Sequence, residues 1–154
     1  MTPAIDLARK KKVFHAIHEY EHDVASESYG LEAAEKLKIS SKRVFKTLVV
    51  SLTDKSLAVG VVPVSSLLNM KAIAKTLGSK KAAMADQSEV ERSTGYILGG
   101  VGPLGQKKRL PTVIDSSARQ FETIFVSAGR RGLEIELNPN DLKKLVNGNY
   151  ADIS

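Results

Sequence analysis

The chain has 154 residues, a length that fits one folded domain, residues 1–154, with a continuous core. It contains no cysteine, which excludes disulfides, thiolate metal sites and a cysteine nucleophile and points to a reducing, cytoplasmic setting. With 23 Lys and Arg against 17 Asp and Glu, the net charge of +6 suits a polyanionic partner, and no run reaches the roughly 20 apolar residues that would predict a membrane partner.

Thr2-Pro3, followed by Ala4, Ile5, Leu7 and Ala8, predicts an N-capped amphipathic helix with proline in its first turn. The stretch after Arg9-Lys10-Lys11-Lys12 is too polar for a signal-peptide core and predicts a strand from Val13 to Tyr20. Gly30 opens a second helix with Leu31, Ala34 and Leu37 at helical spacing, and Phe45 to Ser51 is rich in strand formers. A turn at Thr53-Asp54-Lys55-Ser56 leads to a hairpin partner, Leu57 to Val62, ended by Pro63. Helices follow from about Asn69 to Leu77, stopped by Gly78, and from Ser88 to Ser93, stopped by Gly95, with a short strand at Ala82 to Ala85 between them. Beyond a glycine loop, strands are expected at Thr112 to Asp115, Thr123 to Ser127 and Leu133 to Leu137, the last two joined by a turn at Gly129-Arg130-Arg131-Gly132. Asn138-Pro139-Asn140 caps a final helix from Asp141 to Val146, ended near Gly148. The class is α+β: a curved mixed sheet, open or barrel-like, surrounded by short helices.

The glycine loop, Gly100-Val101-Gly102-Pro103-Leu104-Gly105, spells a dinucleotide-binding pattern but lacks the helix that would receive a pyrophosphate, because Pro111 follows within six residues. Its glycines serve either a tight turn or a cradle of free backbone N–H groups. His15 and His18 fall on opposite faces of the expected strand, so His15, His18 and His22 make no metal-site pattern. No G-x-S-x-G elbow occurs, and the chain lacks a recognisable nucleophile of its own. Lys46 interrupts an apolar strand, facing either water or a site where its ammonium would meet a phosphate or an oxyanion. Basic clusters stand at Lys10 to Lys12, Lys42-Arg43, Lys80-Lys81, Lys107-Lys108-Arg109 and Arg130-Arg131.

Three segments together, Val44-Phe45-Lys46-Thr47-Leu48-Val49-Val50, the run from Arg92 to Pro111 with its Gly99-Gly100-Val101-Gly102-Pro103-Leu104-Gly105 loop, and Val126-Ser127-Ala128-Gly129-Arg130-Arg131-Gly132-Leu133, resemble the YbaK family. The resemblance extends from Thr2-Pro3-Ala4 to Ala151-Asp152-Ile153. Members are freestanding Cys-tRNA(Pro) deacylases related to the editing domain of bacterial prolyl-tRNA synthetases. The resemblance implies trans-editing of misacylated tRNA without cofactor or metal, the substrate's own thiol attacking the ester. It assigns catalysis to Lys46, Gly99 and Gly100 and substrate binding to Tyr20, Tyr29, Gly102, Pro103, Ser127 and Glu134, with the acylated 3′ end of tRNA as partner and prolyl-tRNA synthetase as a further one. Two positions depart from the family pattern: Gly102 replaces a usual serine, and Glu134 a common aspartate. The alternatives are a deacylase for Ala- or Ser-tRNA and a non-catalytic tRNA- or synthetase-binding module.

Overall fold

The computed structural model describes residues 1–26 and 29–154. Helix α1 (Pro3–Lys10) starts where the sequence places it: the Thr2 hydroxyl accepts from the Ile5 amide at 3.3 Å and donates to the Ala128 carbonyl, which fastens the helix to a later strand. There follow β1 (His15–Glu19), α2 (Tyr29–Leu37), β2 (Phe45–Leu52), β3 (Leu57–Pro63), α3 (Met70–Thr76), β4 (Ala82–Met84) and α4 (Gln87–Thr94). After the glycine loop come β5 (Thr112–Asp115), a 3-10 turn (Ser116–Gln120), β6 (Ile124–Arg130), β7 (Leu133–Leu137), α5 (Pro139–Val146) and β8 (Asn149–Ala151). Gly95 caps α4 in the left-handed region at φ 79°, as its position after the helix predicts.

Two local expectations change and one strand was not expected. Pro63 does not stop β3 but is its last residue, opposite Phe45, where a missing N–H costs least. Strand β6 continues past Ser127 to Arg130 through a bulge, so half of the expected Gly129–Gly132 turn is strand. Strand β8, with only three residues, pairs in parallel with β5 and has too little pattern to be read in advance.

The strands form two sheets, β1-β7-β6 and β4-β2-β3-β5-β8, and no barrel closes among the described residues. They meet at one seam. Val44 and Phe125 form an isolated parallel bridge, and the Phe125 amide donates to the Arg43 carbonyl at 3.1 Å. A polar knot holds the seam: Arg43 Nε donates to the Thr123 carbonyl at 2.8 Å, Thr123 Oγ1 to Glu136 at 2.6 Å, and His18 Nε2 lies 2.9 Å from Glu136. Burial alone would raise the Glu136 pKa, but these hydrogen bonds and the nearby positive groups hold it below the usual carboxylate value. The largest apolar core lies between the sheets and α1, with fully buried Leu104, Ile114, Ile124, Ile135, Leu137 and Leu142. A smaller core under α2 joins Ala33, Ala34, Val44, Val64 and Phe125 and seals one side of the seam.

Candidate active site

Beyond the Val44–Phe125 bridge, β2 and β6 part, and a cleft of about 360 Å³ opens between them. Lys46 and Ser127 each stand two residues past the bridge, on the same face of their strands as the bridged pair, so both side chains arrive at the opening. Ser127 pairs with Glu134 across the β6–β7 ladder, and Glu134 pairs with His18 across β1–β7. Directly opposed residues share a face, which places Glu134 on the cleft side of its sheet. The alternation of Leu133 to Leu137 suggests a half-buried strand, but this polar face is covered: Glu134 is only 6% exposed.

Two ionisable groups of the cleft, Lys46 and Glu134, are unsatisfied in opposite senses, while Arg131, which also lines it, is paired with Glu32. Lys46 makes no ion pair with any described residue, and burial lowers its pKa below the usual lysine value. Glu134 likewise has no ion pair or hydrogen bond with a described side chain, and burial pushes its pKa to about 8. At neutral pH its carboxyl is largely protonated. Tyr20 lines the same wall, and its phenol is pushed to about 12, first by burial and then by the charge of Glu134.

The glycine loop forms the opposite wall through Gly99 and Val101. Gly99 has φ 95°, and a Cβ there would meet the Tyr29 ring at 3.1 Å, so glycine is needed for both conformation and space. The Gly100 amide donates to the Ile97 carbonyl at 2.9 Å and is spent inside the loop. The amides of Gly99 and Val101, both residues of the wall, have no acceptor among the described residues. The backbone of Gly100 and Gly102 lies on the β6–β7 connection: a Cβ on Gly100 would be 2.7 Å from Arg130 Cα, and one on Gly102 would overlap the Ser127 carbonyl oxygen. Glycine at 102 therefore lets the loop approach β6, which gives the departure from serine a steric reason.

Of the nine residues proposed from sequence, six line one cleft: Lys46, Gly99, Tyr20, Tyr29, Ser127 and Glu134. Gly100 and Gly102 stand behind the wall, and Pro103 lines a different groove on the far side of the loop. Sequence reading missed Arg131 and Glu32. Arg131 Nη2 pairs with Glu32 at 3.3 Å and donates to the carbonyls of Asp23 and Ser26 at 2.8 and 2.9 Å, while its guanidinium lies 4.2 Å from the Tyr29 ring centre. This latch holds Tyr29 against Gly99. The Arg130-Arg131 pair was visible in the sequence, but only as surface charge; Glu32, inside a helical pattern, carried no signal of burial.

No histidine reaches the cleft. His15 bonds the Val13 carbonyl, His18 is held by Glu136, and His22 is exposed. Ser127 Oγ accepts from the Gly129 amide at 3.2 Å and makes no hydrogen bond to a carboxylate, lysine or histidine among the described residues. Among the described residues no group of three or more His, Asp or Glu is arranged to hold a metal. The site can offer a desolvated ammonium, two backbone donors and a protonated carboxyl, a set suited to charge stabilisation on a reactive substrate.

The model of the aminoacyl-tRNA editing domain matches residues 27–145. EbsC of Enterococcus faecalis, a candidate Cys-tRNA(Pro)/Cys-tRNA(Cys) deacylase, is 39% identical over 154 residues, covering 99% of this chain and 93% of its own. The proline-tRNA ligase of Shouchella clausii is 34% identical over 101 residues, 66% of this chain and 18% of the ligase. Among solved structures, a candidate trans-editing enzyme for prolyl tRNA synthetase has a TM-score of 0.84 at 21% identity, covering all of this chain and 98% of that one. At that identity the likeness is one of fold. No helix among the described residues is long and apolar enough to cross a membrane.

Proposed function

The chain belongs to the aminoacyl-tRNA editing domain family, and from that premise we propose that it deacylates misacylated tRNA in trans, with Cys-tRNA(Pro) as substrate and the substrate thiol as nucleophile. The observation that carries the reading is a cleft that gathers stabilising groups around Ser127 with no histidine among the described residues that line it. An aminoacyl ester is reactive already, so orientation and charge stabilisation suffice if the substrate supplies the attacking atom.

The ester carbonyl sits between Lys46 and the free amides of Gly99 and Val101, and the α-ammonium faces Glu134. The cysteine thiol loses its proton to solvent and its sulfur attacks the carbonyl carbon; negative charge gathers on the carbonyl oxygen, where the amides and Lys46 meet it. The C–S bond forms, the C–O bond to the ribose breaks, and the leaving ribose oxygen takes a proton. Lys46 can give that proton because burial has already weakened its hold on it. Water then opens the cyclic thioester to free cysteine. Tyr29, held by Arg131, closes the side of the cleft.

Prolyl-tRNA synthetase as a partner, supplying tRNA identity, is part of the same reading and is supported by the matching segment of a proline-tRNA ligase. A cytoplasmic location follows from where aminoacyl-tRNA is made and is compatible with the absence of cysteine. The test is single turnover with saturating protein on Cys-, Ser- and Ala-tRNA and on Cys-tRNA with alkylated sulfur. Cys-tRNA is expected to react far faster than the other three. Shape alone separates near-isosteres by roughly ten- to two-hundredfold, so equal rates for Ser-tRNA or the alkylated substrate would replace the thiol with a protein-activated water.

A further inference from the structure

On the far side of the glycine loop from the cleft, Pro103 lines a second groove of about 240 Å³. Its floor includes Leu7, Leu110 and Val146, its rim carries Lys11, Lys108 and Arg109, and no carboxylate among the described residues lines it. The cations project from a fixed frame. The amides of Lys107 and Lys108 donate to the carbonyls of Thr94 and Ser93, both at 2.9 Å, and the loop at Gly105 lies so close to α1 that a Cβ would be 2.6 Å from the Pro3 carbonyl carbon. Cations ringing an apolar floor act in a lower dielectric than cations on an open surface and attract an anion more strongly.

We infer that this groove carries the phosphodiester backbone of the tRNA acceptor end whose ester occupies the cleft, an inference that rests on the editing reading. One loop forms a wall of both sites, through Gly99 and Val101 for the cleft and Pro103 and Gly105 for the groove. Gly99 and Pro103 are four residues apart, a span of at most about 14 Å for extended chain. Stacked nucleotides advance about 3.4 Å each, so about four of them cover that distance. One RNA strand can therefore enter the cleft by its acylated end and lay earlier phosphates on the groove. A basic residue at a helix end also serves the helix dipole, which gives Lys11, the C-cap of α1, a second duty. Lys108 and Arg109 sit on no helix and have no such duty.

The experiment uses the double variant Lys108→Ala/Arg109→Ala with three readouts. For deacylated tRNA, the salt dependence of binding should lose about 0.7 to 0.9 of slope per contact; between about 50 and 200 mM salt the fall in affinity should then be about seven- to twelvefold smaller than in wild type. For Cys-tRNA, KM should rise with kcat retained. For the cysteinyl ester of adenosine, which has no phosphate to place, turnover should match wild type. An unchanged salt slope, or an equal loss on tRNA and on the adenosine ester, overturns the inference. So does competition by millimolar inorganic phosphate that the double variant abolishes without a change in tRNA slope, since the groove would then take a free anion. Failure of wild type to hydrolyse either ester sinks the editing reading itself, while the tRNA slope still decides the groove.

Discussion

Replacing Glu134 with glutamine keeps the shape of the side chain and removes its ionisation. The wild-type carboxyl titrates near 4.5 when solvated and at about 8 in the fold, because burial penalises the charged form. A folded pKa above the unfolded one means that the folded state holds the proton more tightly. The stability this contributes is complete below about pH 4.5 and is lost as pH rises through about 8. The full swing is about 5 kcal/mol, and about 4 kcal/mol of it falls between about pH 5 and about pH 9. That is a large part of the roughly 5–15 kcal/mol that holds a typical domain together. Denaturant melts of wild type and Glu134→Gln across this range should therefore diverge, the variant gaining on wild type as pH rises. Other titrating groups are common to both proteins and cancel in the difference, and the Tyr20 phenol, at about 12, stays protonated throughout. Parallel stability profiles would refute the argument, because they would mean that Glu134 is solvated in the fold.

Lys46→Ala should cut single-turnover deacylation about 10²- to 10³-fold with the thermal melt nearly unchanged, since the ammonium has no ion-pair partner among the described residues; an unaltered rate removes Lys46 from the chemistry. Arg131→Ala leaves Glu32, 4% exposed at its side chain, as a buried charge with no cationic partner among the described residues, held only by the Asp23 amide, and should cost about 3–5 kcal/mol in a denaturant melt; Arg131→Ala in a Glu32→Gln background should cost clearly less, and equal costs would deny the coupling. Gly102→Ser restores the usual family residue but presses a Cβ on the Ser127 carbonyl, so it should destabilise by about 1–3 kcal/mol and raise KM; a gain in either would show that the loop has room.

Local chemistry made much of the fold readable. Thr2 and Asn138 cap helices at the starts the sequence marks, and Gly95 ends α4; Asn69, expected inside its helix, is the cap before it. The course of β6 past Ser127 was hidden because a bulge depends on what the partner strand does, and β8 because three residues carry no period. The two sheets were read as one because the seam consists of a single bridge, Val44 to Phe125, between residues 81 apart that carry no local signal of each other. For the site, motif resemblance located six cleft residues but could not separate those that face the substrate from those that shape the wall. Gly100 and Gly102 belong to the second kind, for their glycine character answers contacts with the backbone of β6 and its turn. Arg131 eluded the sequence because its partners, Glu32, Tyr29 and two loop carbonyls, are all remote from it along the chain.

The separation of Lys46 and Glu134 bears on which substrates the cleft admits. Had the two groups formed an ion pair, the carboxyl would titrate low and the ammonium high, and a substrate would have to break the pair to bind. Instead they stand on different sheets, one shifted down and the other up, and neither has an ion pair among the described residues. In the proposed function a free aminoacyl ester answers both groups at once: its carbonyl oxygen, as charge develops, is placed at Lys46, and its α-ammonium at Glu134, drawing that carboxyl into its ionised form. An N-acetylated aminoacyl ester keeps the reactive carbonyl and the thiol but loses the ammonium, and with it the group that would compensate the buried carboxylate. N-acetyl-Cys-tRNA should therefore show a KM at least about tenfold above that of Cys-tRNA at neutral pH, and the Glu134→Gln variant should narrow the gap. Equal KM values for the two substrates in wild type would show that Glu134 does not receive the amino group and would leave its burial to be explained by packing alone.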